Sequence, residues 1–172
     1  MRCNLICVEN GKIKNHSSGH ISTEEAKELI LEIDRKLGSE QIKFFPGLSY
    51  RHLLVLSSGS KELECFPPHD NVGKPIDEVL IKPLTPEARS TAELLNDLIL
   101  RSHEILVSHP VNIRRKNEGK DQANYIWPWS PGRKPKMQTL QEKYGIKGAV
   151  ISPVDLLKGT GIYAGMDVID VE

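Results

Sequence analysis

Residues 22–56 read STEEAKELILEIDRKLGSEQIKFFPGLSYRHLLVL, and the fold class follows from the change of period inside this stretch. Ser22-Thr23-Glu24-Glu25 is a capping box: the Ser hydroxyl can accept an amide proton three residues on while Glu25 reaches back to the Ser amide. Ala26, Leu29, Ile30, Ile33 and Leu37 then share one face at the helical period, and Gly38 stands where a left-handed cap would end the helix. Beyond Gln41 the pattern turns strand-like. Ile42 to Phe45, Arg51 to Leu56 and Glu62 to Phe66, separated by Pro46-Gly47 and Ser57 to Ser60, predict an antiparallel meander. Purely helical and purely β classes are therefore excluded.

Working towards the N-terminus, Arg2 to Val8 reads as a strand running into Asn10-Gly11, a tight-hairpin dipeptide, with Lys12 to Lys14 pairing back. Cys3 and Cys7 fall on one side of that strand as small core residues. Working the other way, Pro67 to Pro75 cannot continue a ladder and reads as an ordered or functional loop. Thr85-Pro86 opens the longest helix, whose face Leu95, Leu98, Ile99, Ser102 and Leu106 runs to about His109-Pro110. Asn112 to Gln122 reads as a polar turn region, Tyr125 to Trp129 as a short strand, and Ser130 to Pro135 as loop. A shorter helix carries Met137, Leu140 and Tyr144 and stops at Gly145; Lys147 to Ile151 is a strand. Ser152 caps a short helix through Leu157, Lys158-Gly159-Thr160-Gly161 is its stop, and Met166 to Val171 is a final strand. The expectation is an α+β fold: a mixed, largely antiparallel sheet with two main helices and one or two short helices packed against it, in a single domain over residues 1–172.

The chain has 23 Lys+Arg against 23 Asp+Glu, so no global basic excess argues for nucleic acid or an anionic membrane. No stretch approaches the roughly 20 apolar residues of a membrane helix, and no leader pattern opens the sequence, which makes the cytoplasm the expected location. Three cysteines are too few for a disulfide framework or a four-thiolate zinc site, and neither an HExxH helix nor Cys/His pairs at zinc spacing occur. Phosphate-loop, nucleophile-elbow and dinucleotide fingerprints are absent too.

Charge is nevertheless segregated. Residues 112–147 hold nine basic and three acidic side chains, a net of +6 in a neutral chain, which suits an anion although a solvated loop accounts for charge alone more simply. Arg114-Arg115 would put two forks on a turn. Tyr50-Arg51-His52 opens a strand and is better placed for a cleft than for the core, and His69-Asp70 can form an oriented imidazole. His16 and His20 read as surface loop residues. Trp127 and Trp129 in a basic neighbourhood form a thin case for single-stranded RNA.

Tyr50-Arg51-His52, Pro67-Pro68-His69-Asp70, His109-Pro110-Val111-Asn112 with Arg115, and Gly148 to Ile151 through Val154 to Gly159, together with Cys3-Asn4-Leu5 and Ser18 to Ile21, resemble the archaeal-type cofactor-independent phosphoglycerate mutases. The resemblance implies membership of the alkaline phosphatase superfamily. It also implies a hydroxyl nucleophile beside two divalent metals, typically manganese, a phosphoenzyme formed from 2- or 3-phosphoglycerate, and an inserted domain that closes over the substrate. The early Asp-Gly segment and the late Asp/His metal motifs of such enzymes are absent here, and relatives continue beyond Val171-Glu172. The chain is accordingly expected to be the substrate-capping insert of a longer enzyme. Its partners would be a catalytic domain and phosphoglycerate or a similar small phosphorylated anion, with Met1 and Glu172 close together. Carried over by resemblance, Arg51, His52, His69, Asp70, Asn112, Arg115 and Arg133 would face that domain and the substrate, with Arg51, Arg115, Arg133, His69 and Asn112 converging on one concave face. None would be catalytic or ligate metal. Trp127-Pro128-Trp129-Ser130-Pro131-Gly132-Arg133 departs from the Gly-richer stretch such enzymes have. The rival readings are a stand-alone RNA- or anion-binding module and the cap of another phosphotransferase of that superfamily.

Overall fold

The computed structural model describes residues 1–171, so the expectation for Glu172 lies outside the described residues. The chain falls into two compact units, the first running from Met1 to Gly132 and the second beginning at Arg133. The first unit is the mixed α+β fold expected, and its sheet is antiparallel throughout.

At its centre lies β1 (Arg2–Glu9), which turns through Asn10 and Gly11, both at positive φ (51° and 72°), into β2 (Lys12–Asn15). After α1 (Thr23–Leu37) come β3 (Ile42–Phe45) and β4 (Arg51–Leu56). A short ladder, β5 (Leu63–Glu64) with β6 (Lys82–Pro83), precedes α2 (Arg89–Val107), α3 (Pro110–Asn117) and β7 (Tyr125–Trp129). β1 pairs with β7 along one edge and with both β4 and β2 along the other, and β3 pairs with β4. Opposite residues of an antiparallel pair share a face, so one face carries Cys3, His52 and Leu54, all buried, while the other carries Arg2, Asn4, Arg51, Leu53, Trp127 and Trp129. Helices α1 and α2 supply Leu29, Ile30, Ile33, Leu95, Leu98 and Ile99 to the core, every one essentially inaccessible.

Three local expectations change here. The expected meander stops at β3 and β4, because β5 pairs with β6 in a separate ladder and not with β4. Ser22 does cap α1 by accepting from the Glu25 amide at 3.2 Å, but Gly38 leaves the helix extended (φ −70°, ψ 157°) and not left-handed. Its lack of a side chain is still required, since a Cβ there would sit 2.2 Å from the Asp34 carbonyl oxygen. The stretch expected to be a polar turn after Asn112 is instead largely helical. His109 Nδ1 accepts from the Val111 amide and Pro110 occupies the first turn, so a new helix starts where the long one ends.

In the second unit, α4 (Leu140–Tyr144) has a complete capping box between Thr139 and Glu142 and stops at Gly145 in the left-handed region. β8 (Ala149–Val150) and β9 (Asp167–Val168) pair in parallel through α5 (Asp155–Tyr163). Gly159 and Gly161 therefore lie inside a helix and do not stop one, and Ser152 binds the Val154 amide one turn before the helix without being its cap. Gly161 permits close packing: a Cβ there would meet Val150 Cγ1 at 2.5 Å. Among the described residues, no helix is long and apolar enough to cross a membrane.

Candidate functional site

Where β1 and β4 begin, the sheet face away from α1 and α2 opens into a cleft of about 160 Å³ lined by Arg2, Asn4, His16, Tyr50, Arg51, His69 and Trp129. Strand register explains much of it. Arg2 lies opposite Leu53 and Trp129, and Asn4 opposite Arg51 and Trp127, so alternation delivers Arg2, Asn4, Arg51 and Trp129 to one surface. Two loops add the imidazoles. The His69 loop is pinned to the β1–β2 hairpin by Gly73 N–H to the Ile13 carbonyl (2.7 Å) and Ile76 N–H to the Gly11 carbonyl (2.9 Å). The His16 loop is held by Ser17 N–H to Asn15 Oδ1 (2.8 Å) and Ser18 Oγ to the Leu5 carbonyl (3.1 Å).

Both guanidinium groups of the cleft are backed by aromatic rings. Arg2 Cζ lies 4.5 Å from the Trp129 ring centroid and Arg51 Cζ 5.0 Å from that of Tyr50, whose hydroxyl accepts from Arg51 at 3.4 Å. Stacking fixes a guanidinium plane and leaves its edge N–H groups free to fork around an anion. Trp129 Nε1 donates to Asn4 Oδ1 at 3.0 Å. The His69 ring lies 5.4 Å from Trp129 and 6.2 Å from His16. Burial, then the neighbouring His69 and His20, lowers the His16 pKa below its ordinary value. Among the described residues no Asp or Glu lines the cleft; the nearest acid on the His69 loop, Asp70, is exposed and stands 3.7 Å from His69. The arrangement is rich in donors and cations, a set that can offer several charge-assisted hydrogen bonds to a small oxyanion.

Of the residues expected to face a ligand, Arg51 and His69 are brought together here, with Asp70 beside them. His52, Asn112 and Arg115 are not. His52 projects into the core because the strand alternates: its Nδ1 accepts the Gly47 amide at 3.1 Å, its Nε2 is buried without a partner, and burial lowers its pKa to about 4. Asn112 is fully buried and brackets the backbone, donating to the Leu106 and Ala123 carbonyls (2.8 and 2.9 Å) and accepting the Ala123 amide (2.8 Å). Arg115 is only 3% exposed, and its donors go to Glu25 Oε2 (2.7 Å), the Ser18 carbonyl (2.6 Å) and the Asp121 carbonyl (2.8 Å). The expected convergence of Arg115 and Asn112 with Arg51 is thus replaced by a buried brace beneath the His16 loop. Arg133 belongs to the second unit. The net +6 stretch does not build this cleft either: Arg114 and Arg115 face Glu25, Lys120 faces Glu118 at 2.7 Å, and the cleft's cations come from Arg2 and Arg51.

Comparison with known proteins decides the family. The profile of the 2,3-bisphosphoglycerate-independent phosphoglycerate mutases matches residues 1–112. The chain belongs to that family. Phosphoglycerate mutases of this kind from Methanosarcina barkeri and Methanosarcina acetivorans are 51% and 52% identical to it, each over 99% of this chain and 42% of their own length. The solved cofactor-independent phosphoglycerate mutase of Thermoplasma acidophilum superposes with a TM-score of 0.70 at 29% identity, covering 99% of this chain and 46% of that one. The chain thus spans about two fifths of the length of the curated mutases it matches.

Within this mutase-family chain, no three His, Cys, Asp or Glu side chains come together as a metal site among the described residues. The described side chains do not fit the two-metal centre that the resemblance implies. Burial raises the thiol pKa values of Cys3 to about 12 and of Cys7 to about 11, which removes both as nucleophiles. Five cleft residues lie outside the set expected to face a ligand: Arg2, Asn4, His16, Tyr50 and Trp129, although Tyr50 belongs to the segment expected beside a cleft and Trp129 to the pair expected to stack. A signal existed for two, since Arg2 and Asn4 alternate with apolar residues in an otherwise buried strand. The partners of the others lie far along the chain.

Proposed function

We propose that the chain is the substrate-capping part of a longer cofactor-independent phosphoglycerate mutase, an isomerase interconverting 2- and 3-phosphoglycerate through a phosphoenzyme. The hydroxyl nucleophile and the divalent metals, manganese in this reading, belong to the remaining polypeptide. The observation that supports it is the cleft itself, with two aromatic-backed guanidinium groups, two imidazoles and no lining carboxylate on a chain of this family. A phosphorylated three-carbon acid carries two anionic ends and must be retained while its phosphoryl group is parked on the enzyme. Fixed forks that grip the glycerate moiety raise its effective concentration for the return step. The compactness of the cleft favours this over RNA, because Trp127 is buried with its indole N–H on the Phe66 carbonyl at 2.8 Å and offers no stacking platform.

The test is mutagenesis in the full-length enzyme. Arg51→Ala is expected to lower kcat/KM for 3-phosphoglycerate by about 100-fold or more, as for loss of a charge-assisted fork of about 3 kcal/mol. Lys116→Ala, an exposed cation outside the cleft, should change it less than about twofold. Equal, small losses from both would return the cleft to ordinary charged surface.

A further inference from the structure

Among the described cleft residues Asn4 is the one that is almost wholly buried, at 4% exposure, and its carboxamide nitrogen is left accessible to the cleft without a protein partner. An indole N–H can only donate, so the Trp129 Nε1 contact at 3.0 Å identifies the accepting atom as the carboxamide oxygen and fixes which way the amide faces. The Nδ2 end makes no hydrogen bond among the described residues. It lies on the strand position opposite Arg51 and two residues from Arg2, on the same face as both. An amide end whose orientation is set by Trp129, open to the cleft and flanked by two cations with no lining carboxylate among the described residues, offers two preset donors to an oxyanion between the arginines.

We infer that Asn4 is a direct ligand of the oxyanion in this cleft and that Trp129 is its positioning residue, holding the carboxamide oxygen away so that Nδ2 points at the ligand. This rests on the anion-binding reading above and deepens it. The ligand's chemistry is an acceptor-only group, either a phosphate or the carboxylate of a hydroxy acid. Trp129 then has two separable duties: its ring backs Arg2 and its N–H orients Asn4.

Asn4→Asp separates binding from structure. The aspartate keeps the acceptor for Trp129 and stands beside two arginines, so a purely structural Asn4 would tolerate it; as a ligand it would repel the anion. Trp129→Phe keeps an aromatic ring beneath Arg2 and removes only the indole donor. With the 172-residue chain, inorganic phosphate, D-glycerate and 3-phosphoglycerate are titrated in turn, following the two indole N–H resonances by NMR. The Trp129 signal should move on titration, while the Trp127 signal, bound to the Phe66 carbonyl, should not. Movement with phosphate or with D-glycerate tells which end of the acid the cleft holds. Asn4→Asp is expected to weaken binding at least tenfold with an unchanged or raised melting temperature, and Trp129→Phe by about fivefold. Wild-type affinity in Asn4→Asp, with binding lost in Arg51→Ala, overturns this inference and leaves the anion cleft standing; wild-type affinity in both overturns both. Should Asn4→Asp not fold, unchanged affinity in Trp129→Phe alone overturns the proposal.

Discussion

Arg115→Ala discriminates most sharply between what charge suggests and what packing requires. The guanidinium is buried and satisfies three separate acceptors, Glu25, the Ser18 carbonyl and the Asp121 carbonyl, which tie α1, the His16 loop and the segment before β7 together. Truncation strands a largely buried carboxylate and two carbonyls. Removing one partner of a buried ion pair costs about 3–5 kcal/mol. The lower end applies, because Glu25 is 18% exposed and Arg114 already approaches it at 3.4 Å. About 3 kcal/mol in a unit of this size corresponds to a fall of about 10 °C in melting temperature. Calorimetry or circular dichroism on wild type, Arg115→Ala and Arg115→Lys at neutral pH reads this directly. Lys should rescue little, since an ammonium cannot reach three acceptors in a fixed fork. Anion affinity should also fall, but indirectly, through displacement of the His16 loop. A melting temperature within about 2 °C of wild type, together with lost affinity, would refute the brace and make Arg115 a ligand contact after all.

Other outcomes follow from the same geometry. Burial lowers the His52 pKa to about 4 from an ordinary 6.5, so the unfolded chain takes up the proton first. Stability should be complete above about pH 6.5 and fall by about 2 kcal/mol towards pH 5, a slope that His52→Leu should abolish in urea titrations. Gly161→Ala should destabilise the second unit by about 1–3 kcal/mol through the clash with Val150, and Val150→Ala in the same chain should relieve it, as a double-mutant cycle would register. The purified 172-residue chain with manganese should show no turnover of 3-phosphoglycerate; turnover persisting through repurification would defeat the capping assignment.

Much of the fold was legible because periodicity is local. The α1 face, the Asn10-Gly11 hairpin and strands β3, β4 and β7 each announce themselves within a few residues. The misreadings arose where a local signal competes with a contact from afar. Gly159 and Gly161 read as stops yet lie inside α5, where Gly161 answers to the close approach of Val150, whereas Gly38 does end α1 and departs only in being extended. The segment after Asn112 looked like a loop because its residues are polar, whereas the His109 cap and Pro110 restart a helix.

The candidate site was harder to read for a reason that concerns arginine itself. Arg51 and Arg115 are the same side chain, and Arg115 sits in the more basic neighbourhood, so charge counting ranks it first. What separates them is Glu25, 90 residues away in sequence, which makes Arg115 an internal brace, while Arg51 stands on a strand face beside Tyr50 with no carboxylate among the cleft residues. Free donors, not local charge density, mark where an anion can bind. In this chain they project from the paired strands β1 and β4, whose register fixes Arg2, Asn4 and Arg51 before any ligand arrives. Loops carry the imidazoles and Tyr50, and the Arg115 brace holds the His16 loop. A grip built this way loses little entropy on closing around a small oxyanion.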